Sequence, residues 1–166
     1  KNALIVSNSQ DMGRGRRGKN FYSPAGSGVY FSLIYRISEV ITDTEIITAK
    51  AAVSVIRTIK RLTGEELCVH GVNDIYYKGK KVCGILTEAV SDLETRCTEH
   101  IITGIGINVS TEVFPDSISD RAGSLSDLKL DRNELIAGIV NELAVLFSDI
   151  NNSDCRTEYG GYSVTY

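Results

Sequence analysis

Several features that mark particular protein classes are scarce or missing in this sequence. It has no tryptophan, one methionine, two histidines, and four cysteines without a C-x-x-C spacing, so neither a zinc centre nor a disulfide scaffold is expected. No apolar run approaches the ~20 residues of a bilayer span, which argues against an integral membrane protein. Lys and Arg total 18 against 21 Asp and Glu, and this balance argues against a general nucleic-acid coat.

The phosphate-binding loops of the common nucleotide-binding folds are also missing. The sequence contains neither the Walker pattern G-x-x-x-x-G-K-[ST] nor a Rossmann G-x-G-x-x-G at the start of a helix. An enzyme of this sequence that uses ATP must therefore bind it through other residues.

What is present is the composition of one globular domain. Of the 166 residues, 42% are hydrophobic and 23% are charged, enough for a core that needs no disulfides. We expect reduced thiols and a cytoplasmic protein. Because Lys1 begins directly in an apolar strand pattern without a preceding Met, we also expect that residues upstream are missing.

The order of the predicted elements favours an α+β fold. Capping patterns at Thr42–Glu45 and at Asp131 each precede a predicted helix, the second with a buried stripe that includes Ile136 and Val140. Strands are predicted at 3–6, 29–35, 67–69, 74–77, 82–89, 101–109 and, in the polar tail, 162–165. Without a regular β-α-β alternation, a mixed or antiparallel sheet covered by helices is favoured over a doubly wound one.

A cationic loop is the sharpest local signal. The segment Gly13-Arg14-Gly15-Arg16-Arg17-Gly18-Lys19 places four cations in six positions, separated by glycines that let the backbone bend around an anion. Arginine forks bind phosphate or carboxylate oxygens bidentately. On spacing alone, a solvated basic loop or an Arg/Gly segment that contacts nucleic acid is an equal alternative.

Six blocks of the sequence together carry a family resemblance. In order and spacing, the chain resembles biotin protein ligases from about Lys1 to Phe147. The blocks are Ser9-Gln10, the loop 13–19, Phe21-Tyr22-Ser23-Pro24, Asn73-Asp74, Lys81-Val82-Cys83-Gly84-Ile85-Leu86 with Glu88, and Gly104-Ile105-Gly106-Ile107-Asn108.

The resemblance implies a fold and an activity. The fold would be an α+β catalytic domain similar to class II aminoacyl-tRNA synthetase cores, a mixed sheet backed by helices. The activity would be the activation of biotin with ATP and Mg²⁺ to biotinyl-5'-adenylate. The biotinyl group would then pass to a lysine of the biotin carboxyl carrier protein of a carboxylase such as acetyl-CoA carboxylase. No DNA or membrane partner is implied for this segment, and an exposed strand edge that pairs two copies or docks the carrier is expected by analogy only.

The resemblance also assigns residues by position. The catalytic residues would be Lys81, which reaches the biotin carboxylate and the transferring phosphate, Arg16, which retains the adenylate, and Asp74, which acts through Mg²⁺ or on the attacking lysine. The biotin-binding residues would be Gln10, Gly13, Arg14, Gly15, Arg16, Tyr30, Lys81 and Gly84. The nucleotide-binding residues would be Arg17, Lys19, Phe21, Asn73, Asp74, Gly104, Gly106 and Asn108. No side chain is assigned to a metal, because Mg²⁺ would accompany ATP.

Without the resemblance, these residues are interpreted as having ordinary structural roles. Lys81 would be an ordinary turn lysine beside Lys78, Asn73-Asp74 a turn, and Tyr30 a core residue.

Three departures from the family pattern bear on activity. The Lys-Trp that precedes Asn-Asp in the family is His70-Gly71-Val72 here, which weakens a cationic contact; we expect His70 to be structural rather than a ligand. The upstream Ser-Thr-Asn element is absent. Neither a DNA-binding helix-turn-helix nor a full SH3-like domain is visible, so we expect residues 1–150 to form the catalytic domain, with its N-terminal part missing. Residues 151–166 would be a tail leading toward an absent C-terminal domain.

Two other kinds of function stay open at this point. A lipoate-protein ligase-like enzyme is related in fold and also adenylates a cofactor acid, although the Gly-Arg loop favours biotin. A non-catalytic module is the alternative from another class, either an RNA-binding domain or a pseudoenzyme that only holds biotin.

Overall fold

An antiparallel sheet is the framework of the computed structural model, which describes residues 1–37, 41, 43, 45–92, 94 and 98–164. In this part of the chain the strands are β1 (Ala3–Ser7), β2 (Gly28–Arg36), β3 (Cys68–His70), β4 (Asp74–Tyr77), β5 (Lys80–Ser91) and β6 (Thr98–Asn108). They are hydrogen-bonded in the order β1-β2-β6-β5-β4-β3, and each neighbouring pair is antiparallel. The predicted α+β class is confirmed.

Helices α1 (Glu45–Thr63) and α2 (Arg132–Phe147) begin and end as their sequences predict. The Oδ1 of Asp43 accepts the backbone N–H of Glu45 at 2.8 Å, whereas Thr42 and Thr44 of the capping pattern lie outside the described residues. Asp131 caps α2 by accepting two backbone N–H groups at 2.9 Å. Helix α1 ends before Gly64, whose φ of +77° is the left-handed conformation that glycine adopts without strain.

The core lies between one face of the sheet and these helices. Helix α1 is buried along most of its length, because the sheet covers one side and the other helices cover the rest. Helix α2 approaches closely at Gly138, where an added Cβ would lie 2.5 Å from the Cγ2 of Thr58. The buried face of α2 is Leu135, Gly138, Ile139, Leu143 and Phe147, while Ile136 and Val140 of the predicted stripe are half-buried against it.

A buried lysine fastens α1 to the end of α2. The Lys50 side chain is 1% exposed, and its ammonium donates to the carbonyls of Leu146, Asp149 and Ile150 at 2.5 to 3.0 Å. Burial lowers the pKa of Lys50. These carbonyls stand at the C-terminal end of a helix, where a positive charge is favourable.

The tail differs from the prediction. Cys155–Tyr162 form a third helix, α3, so the strand predicted for residues 162–165 is wrong at Tyr162, and Thr165 lies outside the described residues. Cys155, Tyr159 and Tyr162 pack against the core at the spacing of one helical face. Beyond α3, the N–H of Val164 donates to the carbonyl of Val69 at 3.1 Å, which ties the tail to β3.

The structure also describes the cysteines and the apolar character of the helices. The described cysteines, Cys68, Cys83 and Cys155, are free thiols, and Cys97 lies outside the described residues. Within the described chain, none of the helices combines the length and the apolar character needed to cross a membrane.

Candidate active site

One row of residues crosses the sheet on the face away from the core. The strand registers pair Tyr30 with Gly106, Gly106 with Gly84, Gly84 with Asp74, and Asp74 with His70. Residues directly opposite each other in antiparallel strands lie on the same face. The registers therefore bring Tyr30, both glycines and Asp74, which are far apart in sequence, onto one surface.

The two glycines of this row form a platform on which an aromatic ring lies. A Cβ added at Gly106 would be 2.6 Å from the Cε1 of Phe21, and one at Gly84 would be 3.0 Å from its Cε2. The Phe21 ring also meets Tyr30 edge to face, with centroids 6.4 Å apart. The glycines thus leave room for a flat group, and Phe21, itself an expected nucleotide-binding residue, fills it in this structure. Gly104 is on the same face, but a Cβ there would meet only ordinary contacts from 3.6 Å.

Lys81 and Asp74 form an ion pair at one side of the platform. The Lys81 Nζ lies 2.7 Å from the Asp74 Oδ1, and both side chains are about 30% exposed. The same Nζ is 3.4 Å from a Cβ placed at Gly84. A bulge between Ile75 and Tyr76 shifts the β4–β5 register and pairs Lys81 with Tyr76, which puts the lysine on this face. Two of the three expected catalytic residues therefore contact each other.

The cationic loop is fixed at its base by a network around Gly13. The Gln10 Nε2 donates to the Ser23 Oγ at 2.8 Å, and the Phe21 N–H donates to the Gly13 carbonyl at 2.8 Å. A Cβ at Gly13 would lie 2.4 Å from the Phe21 carbonyl oxygen, so no side chain fits there. This network carries Phe21 onto the platform.

Further out, the loop presents its charges to solvent. Arg14 pairs with Asn20, and the N–H of Gly15 donates to the Lys19 carbonyl at 2.7 Å. Arg16–Gly18 form one turn of 3-10 helix with Arg17 at φ 56°. The side chains of Arg14, Arg16, Arg17 and Lys19 are exposed, so they stand at the rim rather than on the platform.

Arg16 reaches from the loop to the turn between β3 and β4. Its Nη1 donates to the Asn73 Oδ1 at 3.3 Å. Asn73 is held in turn by β5, since its Nδ2 donates to the Ile85 carbonyl at 3.0 Å and its carbonyl accepts the Ile85 N–H at 2.9 Å. The loop and the Asn73-Asp74 segment, 57 residues apart, are thereby brought together beside the platform.

Two expected ligand contacts are held by other parts of the protein. The Tyr30 hydroxyl, whose pKa is raised by burial, donates to the Pro24 carbonyl at 3.1 Å, and the residue is 1% exposed. Asn108 is 5% exposed and donates from Nδ2 to the Gly123 carbonyl at 2.9 Å, while its Oδ1 is buried with no partner among the described residues. Their roles toward biotin and nucleotide stay predictions, as do those of the other site residues.

Several residues beside those expected from the sequence lie at the site. Ser23, in the segment Phe21-Tyr22-Ser23-Pro24, accepts the hydrogen bond from Gln10 and so orients that side chain. Arg121 lies on the segment whose backbone pairs with Lys81. Burial, and to a smaller extent the charge of Asp74, raises the pKa of Tyr76, and the positive charge of Arg121 partly opposes this increase. Tyr22 contacts Phe114 with ring centroids 6.2 Å apart. Arg121 and Phe114 sit in polar loop sequence without a local pattern, so only the fold reveals them.

The departure His70-Gly71-Val72 from the family pattern falls at one edge of the site. His70 is cross-strand from Asp74, and its ring lies 5.3 Å from that of Tyr76. Gly71 follows with φ +66° and open space around it. No group of three or more His, Cys, Asp or Glu that would hold a metal occurs in the described ranges.

Comparison with known proteins gives a consistent result. A sequence model described as "Biotin/lipoate A/B protein ligase family" matches residues 1–108. The Bifunctional ligase/repressor BirA of Bacillus subtilis (strain 168) is 38% identical over 149 residues, covering 87% of this chain and 44% of that protein. The chain thus spans less than half the length of this curated relative.

Solved structures share the fold. The biotin protein ligase from Aquifex aeolicus in complex with biotin and ATP has a TM-score of 0.80 at 26% identity, over 96% of this chain and 66% of that one. The enzyme from Leishmania major in complex with biotinyl-5-AMP has a TM-score of 0.81 at 18% identity, over 99% and 72%, a likeness that shows the fold alone. The resemblance of the sequence to this fold is confirmed.

Proposed function

The chain belongs to the biotin/lipoate A/B protein ligase family, and from this premise we propose that it activates biotin with ATP to biotinyl-5'-adenylate. It then transfers the biotinyl group to a lysine of a biotin carboxyl carrier protein. A solved relative supports biotin as the acid, because its structure was determined in complex with biotin and ATP.

The observation that carries the proposal is the grouping around the platform. The Lys81–Asp74 ion pair lies at 2.7 Å beside Gly84, and the Arg16–Asn73 hydrogen bond lies next to it. A carboxylate and a polyphosphate repel each other, so their reaction needs fixed cations close to a flat binding surface. This site offers both.

In the first step, a biotin carboxylate oxygen attacks the α-phosphorus of ATP, and the bond to pyrophosphate breaks. Lys81 supplies a positive charge that holds the carboxylate and the α-phosphoryl oxygens together. In the second step, the amine of the carrier lysine attacks the acyl carbon, an amide forms, AMP leaves, and the amine loses its proton. Arg16 closes over the adenylate between the two steps.

Magnesium fits this site as a companion of ATP. Asp74 places a carboxylate beside the platform, and Mg²⁺ at nucleotide sites is held by one or two carboxylates together with phosphate oxygens. Bound Mg²⁺ would neutralise phosphate charge. Asp74 would orient the ion or the attacking lysine.

The partners of the protein are also part of the proposal. The carrier protein follows from the activity. A homodimer or carrier docking site at an exposed strand edge stays a prediction; β1 is an edge strand in the described sheet, and Leu4, Ile5 and Val6 on it are exposed. A cytoplasmic location is consistent with free thiols.

The test is biotin-dependent exchange of labelled pyrophosphate into ATP by the purified protein with magnesium. We expect exchange with biotin and none with lipoate. Exchange with lipoate instead would favour the lipoate ligase, and biotin binding without exchange would favour the pseudoenzyme. A protein that neither binds biotin nor catalyses the exchange would refute the proposal.

Two variants separate the roles of the cations. Lys81→Ala should suppress adenylate formation, whereas Arg16→Gly should form the adenylate but release it early, so that bystander lysines become labelled. Lys78→Ala is the matched control, because Lys78 lies in the same hairpin and pairs with Asp127 instead. Equal loss of both steps in both site variants would contradict these roles.

A further inference from the structure

The turn that carries Asn73 is held at one end by β5, through the two hydrogen bonds between Asn73 and Ile85. It joins β3 to β4 across residues 71–73, and Gly71 has no side chain and a φ of +66°. A glycine in this conformation has more backbone freedom than any other residue. The conformation of the turn, and with it the Arg16 contact of Asn73, therefore also depends on what holds its Gly71 end.

A tyrosine of α3 makes such a contact. The Tyr159 hydroxyl donates to the Gly71 carbonyl at 3.1 Å, across 88 residues of sequence. Burial, together with the charge of Glu45, raises the pKa of Tyr159, so the hydroxyl stays protonated and able to donate. The hydrogen bond lies two residues from Asn73.

Helix α3 is itself firmly attached. Arg57 on α1 donates to both carboxylate oxygens of Glu158, at 2.9 and 2.5 Å, and Tyr162 donates to the same carboxylate at 3.0 Å. A bidentate arginine contact fixes geometry as well as adding energy. The helix thus gives Tyr159 a rigid base on the body of the protein.

We propose that Tyr159 is a positioning residue, which fixes the β3–β4 turn through the Gly71 carbonyl and so sets Asn73 for its contact with Arg16. The effect on catalysis rests on the proposed function; the effect on the turn does not. Tyr159 touches neither the platform nor the Lys81–Asp74 pair in the described structure, so it acts on nucleotide binding rather than on the chemical step.

The experiment compares Tyr159→Phe with Tyr162→Phe. Both variants remove one hydroxyl from α3, but only the first removes a contact with the turn. Amide hydrogen exchange of the ligand-free protein reports on the turn, and the KM for ATP and kcat of adenylate formation report on the site. The net stabilisation from one hydrogen bond corresponds to a roughly 2- to 10-fold change in the KM for ATP.

We expect Tyr159→Phe to speed exchange at residues 71–74 and raise the KM for ATP by this factor, with kcat and the KM for biotin within about twofold. Tyr162→Phe should leave these quantities within about twofold, because Arg57 still holds Glu158 and helix α3 through two hydrogen bonds. Unchanged exchange at the turn, an unchanged KM for ATP, or equal effects in both variants would overturn the proposal. If the wild-type protein forms no adenylate, the proposed function fails, and the exchange comparison still decides whether Tyr159 holds the turn.

Discussion

Replacing Gly106 by alanine tests the glycine platform directly. The added methyl group would lie 2.6 to 2.9 Å from three carbon atoms of the Phe21 ring, closer than carbon atoms approach in folded proteins. Either the ring moves off the sheet or the strand shifts. The matched control is Gly104→Ala on the same strand and face, where the nearest atom would be 3.6 Å away.

Two opposing effects set the size of the change. Overpacking at a close contact costs about 1–3 kcal/mol, whereas exchanging glycine for alanine in a strand gains about 0.5–1 kcal/mol through the unfolded state. Because Phe21 is half-buried and can swing toward solvent, the cost should not exceed that range. We expect Gly106→Ala to lower the free energy of unfolding by about 0.5–2 kcal/mol and Gly104→Ala to leave it unchanged or raise it by up to about 1 kcal/mol.

Urea unfolding measures both variants, and a double-mutant cycle with Phe21→Ala identifies the contact. In the Phe21→Ala background the clash is gone, so Gly106→Ala should behave like Gly104→Ala, with a coupling energy of about 1–3 kcal/mol. Equal effects of the two glycine substitutions, or a coupling energy near zero, would refute the placement of the Phe21 ring on Gly106.

Two further predictions concern the buried titratable groups. Lys50→Met should lower the free energy of unfolding by about 2–4 kcal/mol in urea titrations, because three carbonyls at the end of α2 lose their donor; a change below about 0.5 kcal/mol would contradict this account. Burial raises the pKa of Cys83, so the folded protein keeps a proton that the unfolded chain releases above about pH 8.5. The stability from this thiol is complete below that pH and falls by up to about 1.4 kcal/mol per pH unit above it. Cys83→Ala should show a shallower alkaline decline in unfolding experiments, and an identical slope would exclude the effect.

Local patterns were sufficient for most of the fold. Helix α2 begins at its capping residue Asp131 and helix α1 ends before the left-handed Gly64, both where expected. Both signals act within one turn of the chain. The tail was mispredicted because Tyr162-Ser163-Val164 has strand-like composition, while the helical face of Cys155, Tyr159 and Tyr162 depends on the surface of α1 that it covers. Tertiary packing overrides a short local preference.

The site divides in the same way. The row Tyr30, Gly106, Gly84 and Asp74 joins four strands, and no spacing along the sequence encodes which residues face each other. The family resemblance predicts these residues as part of the site, but it does not predict that the Phe21 ring lies on the glycines. Arg121 reaches the site only because its loop pairs with β5, so it could not be found from its neighbours in sequence.

The two cation contacts of the candidate site differ in how far the positive charge is offset by its partner. Lys81 faces the carboxylate of Asp74 at 2.7 Å, so much of its charge is offset, and a ligand carboxylate must compete for it. Arg16 faces the neutral amide of Asn73 at 3.3 Å, so its charge is not offset by this partner, and it stands on an exposed loop with Arg14, Arg17 and Lys19. Fields from exposed charges act at a distance and are screened by salt, whereas a contact ion pair exchanges only when the ligand arrives. We therefore predict that the loop attracts the anion first and that Lys81 engages it second, because the positive charge of Lys81 is offset until its ion pair with Asp74 opens.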